Sequence, residues 1–342
     1  MYSVIIPVYR NEESIPSLLS ELSRIRDIVA ERFGLTTEFV FVVDGSPDNC
    51  YKLLRELLPN APFSSQLVLH ARNFGSHAAI RTGLKAGRGT YFGVIAADLQ
   101  EPPELLVDFL APLANNQADV MVGRRQGRED PVASRISANL FWRFYRIFVN
   151  PDVPPGGVDI FACNRQVRDE LLRLEESHSS LVGLLFWVGF RRHEAPYVRR
   201  ARAYGKSAWT VRKKITYLLD SVLAFTDLPI RILAVCGIVG LILGVGFGVT
   251  VGILRLVGEI DLPGYAATII IITFFGSLNT LGLGIVGAYA WRANENAKRR
   301  PLSVVQVEHV FGVTGKDAAS AGTTGPMSSH RQRVTGIMSS GS

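Results

Sequence analysis

Residues 91–106 read "YFGVIAADLQEPPELL". The apolar run from Tyr91 to Ala97 has the length and composition of a buried strand. It stops on a carboxylate, Asp98. Pro102 and Pro103 then open a helical pattern that runs to about Ala114, prolines being tolerated in a first helical turn. The rest of the N-terminal half repeats this unit. "YSVIIPVY" (2–9), "EFVFVVD" (38–44), "QLVLH" (66–70) and "ADVMVG" (118–123) read as strands, with helices expected over Ser14–Phe33, Pro47–Leu58 and Ser76–Ala86. Near-continuous apolar strands alternating with helices predict an α/β fold, a parallel-rich mixed sheet with helices on both faces. Ligands of such sheets bind beyond the carboxyl ends of the strands. Asp44 and Asp98 both end strands, so both are expected to project into one crevice.

What that crevice takes is narrowed by what is missing. "PVYRNEES" follows the first strand and contains no G-x-G-x-x-G, so nicotinamide dinucleotides are not expected, and there is no P-loop. The chain carries a formal net charge of +7 over 342 residues. Acids at strand ends in a basic protein point to a divalent cation, Mg²⁺ or Mn²⁺, bridging a phosphorylated ligand. For either acid alone the ordinary reading is a helix cap or turn residue. Three scattered cysteines, Cys50, Cys163 and Cys236, offer neither a disulfide framework nor a metal spacing. His70, His77, His178 and His193 likewise lack metal spacing and read as surface or pocket-wall residues. The chain opens on a strand, so no signal peptide is expected.

The hydrophobic fraction of 47% and mean hydropathy of +0.19 suit a soluble part joined to a small membrane part. Ile232–Ile253 and Tyr265–Trp291 contain no charged residue, and each is long enough to cross a bilayer. Gly240, Gly244, Gly248 and Gly252 repeat a G-x-x-x-G spacing. It reads either as a close helix contact or as the ordinary abundance of glycine in membrane helices. Lys and Arg crowd the outer flanks, at Arg199, Arg200, Arg202, Lys206, Arg212, Lys213, Lys214, Arg231, Arg292, Lys298, Arg299 and Arg300, whereas the hairpin has Arg255 alone. Both chain ends are therefore expected in the cytoplasm. Lys206–Leu228 interleaves basic and apolar residues as an interfacial helix does. Ser134–Val149 has the same character or is a core-facing helix. Trp187 and Trp291 read as interface anchors.

The motifs "SVIIPVYRNEES", "VVDGSPDN", "ARNFGSHAAIRTGL", "ADLQEPPEL", "VGRR", "GGVDIF", "LVGLLFWVGF" and the run 196–231, in this order, resemble family 2 glycosyltransferases of the polyprenyl-phosphate type, which have the GT-A fold. The resemblance covers roughly residues 1–300. It implies inverting transfer of a sugar from a nucleotide sugar, a UDP-sugar being the first candidate, to a polyprenyl phosphate lipid at the cytoplasmic face of a bacterial inner membrane. It also implies roles by position. Pro7, Tyr9, Glu12 and Asp44 line the donor pocket. Asp98 and Gln100 hold Mg²⁺ or Mn²⁺. Arg124 holds donor phosphates, and Arg124, Arg135 and Arg202 hold the acceptor phosphate. Asp159 stands near the reacting centre, and Arg202 belongs to a segment that closes over it.

This chain departs from the family pattern at three places: Ala96 replaces the first acid of D-x-D, Val43 replaces the first of an Asp pair, and Ala208 stands where Lys is usual. The alternatives are a catalytically degenerate membrane-anchored scaffold or a family 2 enzyme with another acceptor. A processive synthase is not expected, because Q-x-x-R-W is absent. The resulting organisation is a catalytic domain over 1–200, a juxtamembrane amphipathic segment over 201–230, a transmembrane hairpin over 231–292, a cytoplasmic segment over 293–311 and a disordered tail over 312–342. The bilayer is an expected partner, a homo-oligomer is compatible, and nucleic acid is not expected.

Overall fold

The structure, a computed structural model, describes residues 1–126, 142–143, 145–147, 149–154, 157–176, 179–200, 211–257 and 264–312. The tail from 313 onward and most of Ser134–Val149 lie outside the described residues. One eight-stranded sheet organises the rest. Its strands are β1 (Tyr2–Val8), β2 (Thr37–Val43), β3 (Ser64–His70), β4 (Tyr91–Val94), β5 (Val120–Arg125), β6 (Phe161–Asn164), β7 (Arg192–Tyr197) and β8 (Val305–Phe311). They lie in the order β7-β5-β6-β4-β1-β2-β3-β8. β1, β2, β3 and β4 form a parallel block, and β5 pairs β7 parallel. β6 and β8 run antiparallel to their neighbours. The mixed, parallel-rich α/β sheet is the one expected from the sequence.

The central strands are apolar throughout because both their faces are covered. One face carries α1 (Ile15–Phe33), α2 (Cys50–Leu57) and α4 (Leu105–Ala114), with Leu18, Leu22, Phe39, Phe41 and Phe109 fully buried. The other face carries α3 (Ser76–Ala86), α5 (Arg165–Arg173) and α6 (Leu181–Trp187), packed on Phe92, Val120 and Val122. Each buried side chain of this size contributes about 1.5–3 kcal/mol of transfer free energy. Pro102 and Pro103 sit just ahead of α4, and their carbonyls receive the Leu105 and Leu106 amides.

Beyond the domain, α7 (Val211–Phe225) leads into two long helices, α8 (Leu228–Leu256) and α9 (Tyr265–Ala297). Segments of 24 and 27 residues within them are long and apolar enough to span a membrane. Leu241, Ile242, Leu243 and Leu283 are each about two-thirds exposed. Such exposure contradicts a soluble core helix and suits lipid contact. Gly240 lies against Phe275 of α9, where a Cβ would meet the ring at 2.9 Å, whereas Gly244 and Gly248 meet nothing within 4 Å. Among these three described glycines the spacing makes one close contact. α7 docks through Tyr217, whose hydroxyl meets Ser180 Oγ at 2.7 Å. It is tied to the second long helix by Arg292 Nη2 donating to Asp220 Oδ1 at 2.5 Å.

The segment 293–311 does more than lie beside the membrane. Its residues Val305–Phe311 pair antiparallel with β3 and close the edge of the sheet. The chain therefore leaves the domain, runs through both apolar helices and returns to the sheet it left.

Candidate active site

The carboxyl ends of β1, β2 and β3 meet in interlocked loops. Arg10, in the left-handed region at φ 56°, donates its backbone N–H to Ser46 Oγ at 2.8 Å. Glu12 accepts from Asn49 twice, from the backbone N at 2.9 Å and from Nδ2 at 3.1 Å. Tyr9 donates its N–H to Asn11 Oδ1 at 3.0 Å, and Pro7 sits half-buried opposite Val42. Gly45 has φ +57°, and a Cβ there would stand 2.3 Å from the Arg72 carbonyl carbon, so only glycine lets the two loops approach. Arg72 is exposed, with its guanidinium 4.0 Å from the Phe74 ring centroid.

Asp44 is 3% exposed. Its Oδ1 accepts from Phe74 N at 2.9 Å and meets His70 Nδ1 at 2.8 Å, and its Oδ2 accepts from Gly75 N at 2.7 Å. The expectation that Asp44 and Asp98 project together into one crevice is corrected here. Asp44 turns back onto the 72–75 turn, because three donors inside the protein satisfy both its oxygens. His70, expected at the surface or on a pocket wall, is buried between Asp44 and Thr82.

After β4 the chain turns sharply, with Leu99 at φ 54°. Asp98 is half-buried, and its Oδ1 accepts from Gln100 N at 3.3 Å. Gln100 is bound to the backbone of Arg200 in both directions. Its carbonyl accepts from Arg200 N at 2.9 Å, and its Nε2 donates to Arg200 O at 3.4 Å. Glu101 has no exposed surface. Its Oε1 accepts from Arg199 Nε at 3.1 Å, and among the described residues its Oε2 has no hydrogen-bond partner. Burial, reinforced by the nearby Asp159 and Asp98 charges and opposed by Arg199 and Arg125, pushes its carboxyl up to about 7.

Asp159 stands just before β6. Its Oδ2 accepts from Arg125 Nε at 2.6 Å, from Arg125 Nη2 and from the Tyr197 hydroxyl at 2.9 Å. Burial works against the Arg125 charge, but Asp159 more than compensates and raises its pKa. Burial, and then the Asp159 charge, raises the Tyr197 hydroxyl. Arg124 points away from this group, because neighbouring residues of a strand face opposite sides. It is 43% exposed and stands 3.2 Å from Glu194 Oε2. Arg135 and Arg202 lie outside the described residues. The strands thus bring Asp98, Gln100 and Asp159 to one charged cluster. Pro7, Tyr9, Glu12 and Asp44 form the neighbouring loop corner.

Glu101, Arg125, Tyr197 and Arg199 are members of the cluster that the sequence reading passed over. Glu101 lies inside "ADLQEPPEL", and an acid directly before a proline carries no mark of burial in the sequence. Choosing Arg125 over Arg124 needed the register of β5 on β6 and β7. Asp98 and Gln100 present a carboxylate and an amide oxygen, the hard donors that suit Mg²⁺ or Mn²⁺, and such ions keep several waters and phosphate oxygens. Among the described residues no group of three or more acids, histidines or cysteines is placed to hold a metal ion, so a cation at Asp98 and Gln100 would take most of its ligands from water and phosphate oxygens.

Residues 3–173 match the family model described as glycosyl transferase family 2. A Bacillus subtilis protein called uncharacterized glycosyltransferase YkcC is 31% identical over 317 residues, covering 92% of this chain and 95% of that protein. Undecaprenyl-phosphate 4-deoxy-4-formamido-L-arabinose transferase of Klebsiella pneumoniae is 28% identical over 309 residues, 89% of this chain and 92% of that one. Bactoprenol glucosyl transferase of Shigella phage SfII is 26% identical over 308 residues, 90% and 98% of the two chains.

Proposed function

From the premise that this chain belongs to glycosyl transferase family 2, we propose that it transfers a sugar from a nucleotide sugar, a UDP-sugar first among the candidates, to a polyprenyl phosphate in the membrane. One observation carries the reading. Helix α7 is bonded on one side to the catalytic domain through Ser180 and Tyr217 and on the other to the second membrane helix through Asp220 and Arg292. A water-soluble donor site held rigidly beside a bilayer suits an acceptor that lives in the bilayer. The names of the two transferases compared above, which mention undecaprenyl phosphate and bactoprenol, support the same acceptor class.

In the reaction, an oxygen of the lipid phosphate forms the new bond to the anomeric carbon. The bond from that carbon to the nucleoside diphosphate breaks, and the diphosphate leaves with the bonding pair. A single displacement inverts the centre. The acceptor is already an anion, so no proton has to be removed from it. Asp159, occupied by Arg125 and Tyr197, therefore holds cations and a hydroxyl in place rather than serving as a base. Mg²⁺ or Mn²⁺ at Asp98 and Gln100 would neutralise the diphosphate charge. Arg135 and Arg202 are proposed to hold phosphates, and Arg124, on the other side of its strand from Asp159, joins them only by leaving its pair with Glu194. The two-way bond between Gln100 and Arg200 supports a role at the acid cluster for Arg202, which itself lies outside the described residues.

The return of β8 to the sheet supports an even number of membrane crossings, with the domain and β8 on one side. The basic flanks favour the cytoplasmic side. Membranes bearing the chain, incubated with undecaprenyl phosphate and labelled UDP-, GDP- and dTDP-sugars, test the proposal. Label should move to the organic phase with one donor. If every label stays in the aqueous phase, the catalytic reading gives way to the inactive scaffold suggested by Ala96, and if Asp98→Ala transfers as well as the wild type, the cation role of Asp98 falls.

A further inference from the structure

The segment that leaves the second membrane helix reaches the loop corner by a short route. α9 ends at Ala297, and only residues 298–302, "KRRPL", separate it from Ser303. Ser303 Oγ lies 2.8 Å from Thr82 Oγ1 on α3. Thr82 Oγ1 lies 2.9 Å from His70 Nε2, and His70 Nδ1 lies 2.8 Å from Asp44 Oδ1. The remaining bonds of Asp44 go to the Phe74 and Gly75 amides. In a neutral His70 whose Nδ1 donates to the carboxylate, Nε2 accepts from the Thr82 hydroxyl, and Thr82 accepts in turn from Ser303. All the hydrogens then run one way, and each bond polarises the next.

Three features set this chain of bonds apart from the satisfaction of a stray buried histidine. First, the β3–β8 pairing shifts register between Leu69 and His70, at the residue that carries the imidazole. Next to the shift, Ala71 N donates to Val304 O at 3.0 Å. Second, the strand that delivers Ser303 is lightly held for an edge strand. Val304, Val305 and Val310 are each roughly half exposed, so its apolar burial is slight. Third, the chain ends on the turn that carries Arg72 and Phe74, an exposed cation over a ring at the carboxyl end of β3, where a ligand of this sheet class binds.

We propose that the post-membrane segment completes the donor pocket. Ser303 acts as a positioning residue that, through Thr82 and His70, fixes Asp44 and with it the 72–75 turn against a nucleoside diphosphate. The inference rests on the nucleotide-sugar reading above for its ligand, but the coupling from Ser303 to the turn does not depend on it. The membrane hairpin then does more than anchor the chain, because it brings back the residue that sets the pocket.

The full-length protein in nanodiscs tests this with Ser303→Ala, Thr82→Val and the restoring variant Ser303→Thr. His309→Phe serves as the control, since it removes the 2.9 Å contact between His309 and Tyr51 and so loosens β8 without touching the chain of hydroxyls. Two readouts are taken: amide hydrogen exchange at Phe74 and Gly75 without ligand, and affinity for UDP, GDP, ADP and CDP with Mg²⁺ present. Ser303→Ala and Thr82→Val should speed exchange at both amides and weaken binding of the preferred nucleotide about five- to tenfold, the effect of one lost hydrogen bond. Ser303→Thr should restore both, and His309→Phe should leave both unchanged. Unaltered exchange in Ser303→Ala overturns the proposal, and so does an equal effect of His309→Phe, which would reduce Ser303 to strand docking. If no nucleotide binds the wild type while exchange still responds to Ser303→Ala, the coupling stands and the nucleotide reading falls.

Discussion

Two glutamates of this chain have no exposed surface, and the fold treats them in opposite ways. Glu38 lies in β2 near the amino end of the sheet. Its carboxylate accepts from Ser3 Oγ at 2.5 Å, Arg88 N at 2.5 Å, Arg88 Nε at 2.9 Å and Gln66 Nε2 at 3.2 Å. Burial opposes its charge, yet the bonds from Ser3 and Arg88 win and hold it below the usual carboxylate range. Glu101 lies at the carboxyl end of the sheet, bonded to Arg199 and near Arg125, with one oxygen unpaired among the described residues. Burial wins there, and like charges add to it. The amino end is finished by folding alone. At the carboxyl end three acids crowd together, and Arg125 and Arg199 offset that crowding only in part, since the Glu101 carboxyl is still pushed up, as in sites that bind charged ligands. One end should answer to mutation with stability, the other with rate.

The largest expected effect tests the carboxyl end. Asp98→Ala removes the half-exposed acid at the centre of the cluster and should lower transfer about 10²–10³-fold, the usual cost of losing one electrostatic contact to a leaving group. The melting temperature should stay within a degree or two of wild type, because a substitution at a partly exposed polar position carries little fold stability. A rate near wild type would break the contrast at its stronger end.

Glu38→Gln is the mirror experiment. It keeps the volume but leaves donors facing donors, since Ser3, Arg88 and Gln66 all converge on the carboxylate. Stability should fall by about 1–3 kcal/mol, read from chemical denaturation. Turnover per folded molecule should not change. A rate loss without a stability loss would show that the amino end is not a passive scaffold.

How far these two ends could be read from the sequence differs as well. The parallel block and its helices were legible because burial on both faces writes continuous apolar runs, and α3 fell where its pattern placed it. β6, β7 and β8 were not. β6 has only four residues, "FACN", and β7, "RHEAPY", is polar along most of its length. β8, "VQVEHVF", does alternate, but it follows a membrane helix and pairs with a strand more than 230 residues earlier, a link that no local pattern carries. Asp98, Gln100 and Asp159 could be singled out in the sequence because a strand end marks the first and the order of the family motifs marks the other two. Glu101 and Arg125 depend on depth and register. His70 was misjudged because its partners Asp44, Thr82 and Ser303 meet only in the folded chain.

Glu101→Gln sharpens the contrast within the carboxyl end. Glutamine keeps an oxygen for Arg199 Nε and fills the same space, so stability should change by less than about 1 kcal/mol. Transfer should fall about tenfold, because Arg199 loses its counter-charge at the start of the segment that leads to Arg202. A stability loss as large as that of Glu38→Gln would mean that the two buried glutamates do the same work.

The smallest effect concerns His77, which belongs to neither end. It sits on α3, half-buried, with the Tyr217 ring 6.3 Å away and Leu181 N donating to its Nδ1 at 3.3 Å. Burial lowers its pKa from the ordinary 6.5, and the charge of Arg81 on the same helix adds to this against a backbone bond at Ser179. The unfolded chain therefore takes up this proton before the folded one does. Stability should be flat above about pH 6.5 and decline as the pH falls below it, since the unfolded state then binds more protons. Protonation at Nδ1 would also forfeit the Leu181 bond that seats α6 under α7. His77→Asn keeps an acceptor for that amide and has nothing to titrate. The variant and the wild type should show the same difference in stability at pH 7.5 and pH 8.5, and the variant should lose less than the wild type between pH 6.5 and pH 5. Parallel curves over the acid range would mean that His77 titrates alike in both states, and that the acid sensitivity of the fold comes from the carboxylate cluster instead.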